Sequence, residues 1–329
     1  MLLPAHEFVK PATLAEGLAA LKSAAADQTD LKLLGGGTDV IFNMRGKLFR
    51  PDVVLSLKDL PELQTVEQLP DGRLRLGAGC RLTDLERHPV VQTYPALVAA
   101  FRAVASRHVR NMATLGGNLC LDTRCWYTNQ TAEWREAKGP CLKTGVEVCH
   151  AIKPSPVCVA VNASDTAPAL IAMDAVVTLI SADGERDMPL ADFYTMDGVA
   201  HTARRADEVL AAVTLPANPG RMVYIKETAR KGNDFSYGSI AAAADGAAGH
   251  CTRARIVIGS LTTAPMSLVK PVDIIVARGL TDAAISAAVA ATREELGILT
   301  NLYTPAAYKS QLARSLVRKA LTRLRGVAS

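Results

Sequence analysis

Residues 33–40 read LLGGGTDV. An apolar, strand-like run ends there on three successive glycines, a hydroxyl and a carboxylate, a junction that few folds accommodate. Without a Cβ at positions 35, 36 and 37 the backbone can turn sharply and leave its N–H groups free to converge on an oxyanion. That geometry suits a phosphate or a pyrophosphate. Gly35 and Gly37 match the first two glycines of the G-x-G-x-x-G fingerprint, but position 40 is Val40, and a Walker A lysine is missing. By itself the loop is a plain tight turn or a phosphate cradle. A second cluster, NMATLGGNLC at 111–120, again joins permissive backbone to small hydrogen-bonding side chains at Thr114, Gly116, Gly117 and Asn118. Its bland reading is a two-glycine turn closing a strand. Two such loops in one domain point to a dinucleotide, which needs anchoring at its phosphates and at its rings.

The chain has room for such a site. Its 329 residues can form two or three domains, and a 49% hydrophobic and 21% charged composition is that of an ordinary globular protein. The net charge of +5 comes without a basic run interleaved with aromatics, which argues against nucleic-acid binding. The opening MLLPAHEFVKPATLAEGL has no secretory pattern, and no stretch reaches the roughly 18 apolar residues of a membrane span. The expected location is the cytoplasm, away from membranes.

Short helices and strands alternate along the N-terminal part. Thr13 and Glu16 form a capping box ahead of the Leu14, Leu18, Leu21 stripe, and Thr83 and Glu86 form a second. Strands are expected at LKLLGG, VVLSL (53–57), LRLGAG (74–79), AVVTLIS and EVLAAVTLP (208–216). Helices are expected at 95–106 and 166–175. ANPG at 217–220 suits a domain boundary. Beyond it MVYIKETA, SIAAAADG and RARIVIGS read as a C-terminal sheet, followed by helices near 280–296 and 305–326.

Five of the seven cysteines lie between residues 120 and 158, in a stretch without hydrophobic period. In a reducing compartment clustered thiols bind metal or do redox work more often than they pair. From Cys125 the spacing is C-x15-C-x7-C-x8-C through Cys141, Cys149 and Cys158. Four thiolates suit an iron–sulfur cluster or tetrahedral zinc, and unliganded thiols are the third possibility. Cys80 and Cys251 sit in strand-like apolar contexts and read as inert core thiols. Trp126, Tyr127 and Trp134 would anchor the polar loop to the domain, or else shield a cluster from water. His150 reads as a surface histidine.

LLGGGTDV and ATLGGN, together with SDTAPALIAMDAVVTL (164–179), DEVLAAVTLP (207–216) and YIKETARKGNDFSYGSIAAA (224–243), resemble the flavin-binding subunits of the molybdenum-hydroxylase family over nearly the whole chain. The resemblance implies an α+β protein. Residues 1–217 would be a PCMH-type, vanillyl-alcohol-oxidase-like FAD-binding domain of two α/β subdomains, with an inserted loop at 120–160. Residues 218–329 would be a C-terminal α+β domain similar to that of the CO-dehydrogenase flavoproteins. It further implies that FAD is held by Leu33, Leu34, Gly35, Gly36, Gly37, Thr38, Asp39 and Val40, and by Thr114, Leu115, Gly116, Gly117 and Asn118. Asp165 and Lys226 would approach the flavin, and Val104 and Leu210 would line the pocket. Read without the family, Asp165 could be the N-cap of the next helix and Lys226 a strand-edge charge.

Simpler members of the family connect the second glycine loop to the SD aspartate by about a dozen residues, far fewer than separate Asn118 from Ser164 here. In its inserted segment, LGGNLCxDTRC and the later cysteine spacing, the chain resembles the beta subunits of the 4-hydroxybenzoyl-CoA reductases. That resemblance implies a [4Fe-4S] cluster on Cys125, Cys141, Cys149 and Cys158, with Cys120 packed beside the flavin as a reserve ligand. It implies a large molybdopterin-binding subunit and a small subunit with two [2Fe-2S] clusters, assembled as a dimer of heterotrimers. Electrons would come from ferredoxin through [4Fe-4S] and FAD to [2Fe-2S] and molybdenum, where an aromatic acyl-CoA is reductively dehydroxylated. Two alternatives stand beside it: a hydroxylase or dehydrogenase subunit of the CO dehydrogenase or xanthine dehydrogenase type, with electrons leaving through FAD, and a zinc-stabilised binding module without flavin.

Overall fold

The computed structural model describes residues 2–218, 220–230, 232–297 and 305–327 and has a mixed α+β architecture with three sheets. The first sheet is parallel, in the order β1 (Glu7–Val9), β3 (Val53–Ser56), β2 (Leu31–Leu34). Parallel neighbours need crossovers, supplied here by helices Leu14–Ala26 and Val40–Arg45. Thr13 starts the longer helix by accepting from the Glu16 N–H at 3.2 Å. The Glu16 carboxylate returns to the Ala12 N–H at 2.7 Å, one residue beyond the position a capping box uses. Leu18 and Leu21 then bury against Leu60, Leu63 and Val209.

The second sheet is antiparallel: β4 (Val66–Gln68), β5 (Leu74–Gly77), β8 (Val209–Leu215), β6 (Val176–Ser181), β7 (Gly184–Pro189), in that spatial order. Central β8 is buried at every residue, which is why its sequence is apolar at all but Thr214 and shows no alternation. The chain between β5 and β6 is helical or irregular and carries both the second glycine loop and the cysteine segment. The expected capping box at Thr83 does not form. Helix Leu82–Arg87 starts two residues earlier than that box requires, so Thr83 lies inside the first turn, where its buried hydroxyl bonds Asn111 at 2.9 Å. Glu86 is drawn away by Arg102 and Arg110, at 3.1 and 3.4 Å.

The third sheet runs β12 (Met266–Ser267), β11 (His250–Gly259), β10 (Gly238–Ala247), β9 (Arg221–Glu227), also antiparallel. The alternation of side chains along β10 assigns its two faces. Ile240, Ala242 and Ala244 pack with helices Lys270–Arg278, Asp282–Glu295 and Ala306–Arg325, whereas Ala241 and Ala243 face the core shared with helix Thr166–Ala172. Small residues let that helix come close: a Cβ on Gly259 would lie 2.5 Å from Pro168. The C-terminal sheet is thereby packed onto the element that begins at Asp165.

The cysteine segment leaves and rejoins the fold through one backbone bridge. Arg124 and Val161 exchange N–H···O bonds of 2.7 and 2.8 Å. Within the excursion lies helix Ala132–Lys138, capped by Thr131. Trp126 and Trp134 are 41% and 36% exposed, and Tyr127 packs within the excursion against Trp134 and His150. Cations tie it to the first glycine loop and the helix after it: Arg135 donates to the carbonyls of Gly46 and Lys47, each at 3.0 Å, and Arg124 reaches Asp39 and Asn43.

Candidate cofactor site

The two glycine loops touch. A Cβ on Gly36 would fall 1.7 Å from the Met112 carbonyl, and one on Gly35 would fall 2.6 Å from the Thr114 hydroxyl. Only glycine permits that approach, and a third of the first loop's turn needs it again, because Gly37 has φ +75°. The loops differ in what they offer. In the second, the N–H groups of Leu115, Gly116, Gly117 and Asn118 are already bound, to Cys80 O, Ala78 O, Thr114 Oγ1 and Thr114 O. In the first, the N–H groups of Gly35 to Val40 have no acceptor among the described residues. Buried or half-buried N–H groups without partners are rare unless a ligand satisfies them. The first loop therefore supplies donors, and the second supplies a surface without side chains.

Both loops open on one cavity of about 450 Å³. Of the residues implied for FAD, it is lined by Leu33, Gly35, Asp39, Val40, Thr114, Gly116, Gly117 and Leu210. Leu57, Leu63, Ala78 and Val209 complete an apolar wall, Lys32, Arg50, Lys143 and Arg204 bring positive charge, and His201 lies beside them. Apolar surface for rings beside cations and free N–H groups for phosphates is the donor set that FAD requires. The residues fit the cofactor. Cys120 lines the same cavity; burial pushes its thiol up and the Arg204 charge opposes the shift.

Gly36 lines an adjoining cavity of about 400 Å³ on the other side of the loop contact, with Lys58, Arg81 and His88. Leu34, Gly37, Thr38, Leu115 and Asn118 build the loops without lining the 450 Å³ space. Asn118 ties the second loop to the SD segment: its Oδ1 accepts from Ser164 Oγ at 2.8 Å and Thr166 Oγ1 at 2.7 Å. Val104 is buried in the core. Its carbonyl accepts from Arg110 at 2.9 Å.

Asp165 and Lys226 meet each other. The Lys226 ammonium donates to Asp165 Oδ2 at 2.7 Å and to the Ala103 carbonyl at 2.8 Å. Asp165 is at the N-cap position but makes no capping bond; Ser164 caps instead, accepting from Ala167 N at 3.2 Å. The reason is competition for the carboxylate, since Tyr224 also donates to it, at 3.3 Å. Lys226 does lie on the edge strand, yet its side chain is only 10% exposed. Burial pushes the Asp165 carboxyl up to about 6 even with Lys226 beside it.

All seven cysteines are unpaired. Cys80 and Cys251 are buried in the two large cores. Burial raises the Cys125 thiol, and the neighbouring Cys141 and Cys149 add to the rise. Burial likewise pushes Cys158 to about 11, with smaller contributions from Cys125 and Cys141. The Cys149 sulfur accepts from Ile152 N at 3.4 Å, and Cys141 sits 3.7 Å from Thr128 Oγ1. Among the described residues no three His, Cys, Asp or Glu groups converge tightly enough to grip a single metal ion.

Several participants escaped the sequence reading. Tyr224 was within reach of it, because residues two apart on a strand share a face and Lys226 had been singled out. Arg204 and Lys143 had no such signal, since only the folded chain brings them to the cavity. Gly198 carries no motif either, yet a Cβ there would lie 2.8 Å from the Cys158 sulfur. No described helix is long and apolar enough to cross a membrane.

Known proteins resemble the chain over nearly its whole length. Residues 4–218 match the family described as the FAD binding domain in molybdopterin dehydrogenase, and residues 223–324 match the CO dehydrogenase flavoprotein C-terminal domain. A putative xanthine dehydrogenase FAD-binding subunit of Escherichia coli is 37% identical over 114 residues, which are 34% of this chain and only 38% of that subunit. The nicotine 6-hydroxylase medium subunit of Paenarthrobacter nicotinovorans is 24% identical over 98% of both chains. In structure, carbon monoxide dehydrogenase from Hydrogenophaga pseudoflava superposes with a TM-score of 0.79 at 22% identity over 98% of both chains, a likeness of fold.

Proposed function

The chain belongs to the family of FAD-binding domains of molybdopterin dehydrogenases, and on that premise we propose that it is the flavin-carrying electron-transfer subunit of a molybdenum hydroxylase or dehydrogenase. The observation that carries the reading is the unpartnered backbone N–H groups of the first glycine loop, of which Gly35, Asp39 and Val40 line the 450 Å³ cavity. In the proposed role those N–H groups hold the pyrophosphate of FAD, Gly116 and Gly117 allow it to lie against backbone, and Leu33 and Leu210 cover a ring. Asp165 and Lys226, which do not line that cavity, join the C-terminal sheet to the N-terminal part through their mutual bond. The chain would divide at 217/218 into an FAD-binding and a C-terminal domain. When bound, FAD supplies chemistry that exchanges electrons singly or in pairs, so no side chain here has to act as acid, base or nucleophile. Substrate would be turned over on a large molybdopterin subunit, with a small [2Fe-2S] subunit between, as names such as nicotine 6-hydroxylase medium subunit suggest for relatives. Electrons would leave through FAD to an outside acceptor. The purified full chain should carry one FAD, released by acid and identified by chromatography; a chain that neither retains nor takes up FAD refutes the reading.

A second reading draws on the four unpaired thiols that one excursion carries. In it Cys125, Cys141, Cys149 and Cys158 hold a [4Fe-4S] cluster, ferredoxin is the donor, and the complex reduces an aromatic acyl-CoA as 4-hydroxybenzoyl-CoA reductases do. Anaerobic purification with iron and sulfide assays separates the readings. Ferredoxin-linked turnover that survives Cys141→Ser in the assembled complex removes the second. Stoichiometric zinc in a colourless protein would favour a binding module over both.

A further inference from the structure

We propose that the cysteine-bearing excursion is a wall of the nucleotide cavity, and that Arg124 and Lys143 are positioning residues through which excursion order and flavin retention depend on each other. The proposal rests on the reading of the 450 Å³ cavity as the flavin site.

Asp122 and Lys143 both line that cavity, although 21 residues separate them in sequence. Lys143 is 9% exposed and uses its three protons inside the excursion, on Asp122 Oδ1 at 2.7 Å, Thr123 O at 2.9 Å and Thr123 Oγ1 at 2.8 Å. The outgoing and returning legs are thus stapled together where they face the nucleotide. The staple continues into the first glycine loop. Asp39 accepts from the Asp122 N–H at 3.2 Å and pairs with Arg124, which also reaches Asn43 on the following helix at 3.3 Å.

Charge makes the coupling more than steric. A cavity for a diphosphate is lined by three carboxylates: Asp30 pairs with Lys32, whereas Asp39 and Asp122 are each neutralised by a cation from the excursion, Arg124 and Lys143. Without Lys143, Asp122 would face the phosphates bare, and in a half-buried space that repulsion is strong. Coupling of binding free energies is reciprocal: whatever factor the ordered excursion adds to FAD affinity, FAD adds to excursion order.

Hydrogen exchange on the full chain, FAD-loaded and FAD-stripped, tests this together with FAD titrations of variants. FAD should slow exchange over residues 122–145 about 10-fold or more, a typical coupling, while β10 and β11 exchange alike in both states. Lys143→Met and Arg124→Met should each weaken FAD binding about 10-fold or more, and adding Asp122→Asn to Lys143→Met should recover part of the loss by removing the bare carboxylate. Lys138→Met, at an ammonium 5.7 Å from the Tyr127 ring centroid, should change nothing. Identical exchange over 122–145 with and without FAD, or unaltered affinity in Lys143→Met, overturns the proposal. Should Lys143→Met fail to fold, the wild-type exchange comparison decides alone. A wild-type chain that takes up no FAD at all instead refutes the flavin site itself.

Discussion

Lys226 on β9 donates to Asp165 at 2.7 Å, and with its bond to the Ala103 carbonyl it fastens the edge of the C-terminal sheet to two segments of the N-terminal part. Both charges are nearly out of water, so the pair is weak evidence of net stabilisation, but neither partner can be removed alone without leaving an uncompensated buried charge.

Lys226→Met and Asp165→Asn should therefore each destabilise the chain by about 3 kcal/mol, because each strands the other partner's buried charge. The double variant should cost less than the sum. Urea denaturation of the three proteins gives the cycle, and strict additivity would show that the pair is not coupled.

Asp165 also predicts a pH dependence. Its folded value of about 6 is raised above the ordinary value of an aspartate, so between roughly pH 4 and 6 the folded chain holds a proton that the unfolded chain has lost. Stability contributed by this group is full below pH 4, falls as pH rises to 6, and then levels. The total is up to about 3 kcal/mol, and Asp165→Asn should flatten this component when denaturation midpoints are compared across pH 4–7. Equal slopes in the two proteins would refute the assignment.

Gly36→Ala should abolish FAD retention, because its Cβ would sit inside the Met112 carbonyl and force the loops apart. Gly249→Ala, where a Cβ meets nothing within 4 Å, is the matched control and should be neutral. Flavin absorbance per chain after gel filtration reads the difference.

Gly198→Ala presses a methyl onto Cys158 Sγ at 2.8 Å and Ala160 Cβ at 2.9 Å. Overpacking of this kind costs about 1–3 kcal/mol. The loss should appear in thermal unfolding, together with faster alkylation of Cys158 measured by peptide mapping; unchanged alkylation would mean that Gly198 does not seal that thiol.

The glycine loops, β8 and the C-terminal strands could be read in the sequence because each is written locally: in consecutive glycines, in a nearly continuous apolar run, in β-branched and small residues bounded by turns. β4 and β7 were not, since their residues are largely exposed or only half-buried and polar, and pairing alone makes them strands. The Thr83 cap failed because a buried partner 28 residues away outcompeted the local backbone. The same distinction applies to the site. The first loop's free donors follow from its own residues, whereas the charges at 143 and 204 reach the cavity only through long-range closure.

The exchange of bonds between Arg124 and Val161 has an evolutionary consequence. A detour of three dozen residues that departs and returns at adjacent points leaves the surrounding scaffold the same shape whether it is long or short, and lengthening a closed loop costs little further entropy. Such a gateway lets one ancestral body gain, lose or rework an appendage without relearning how to fold.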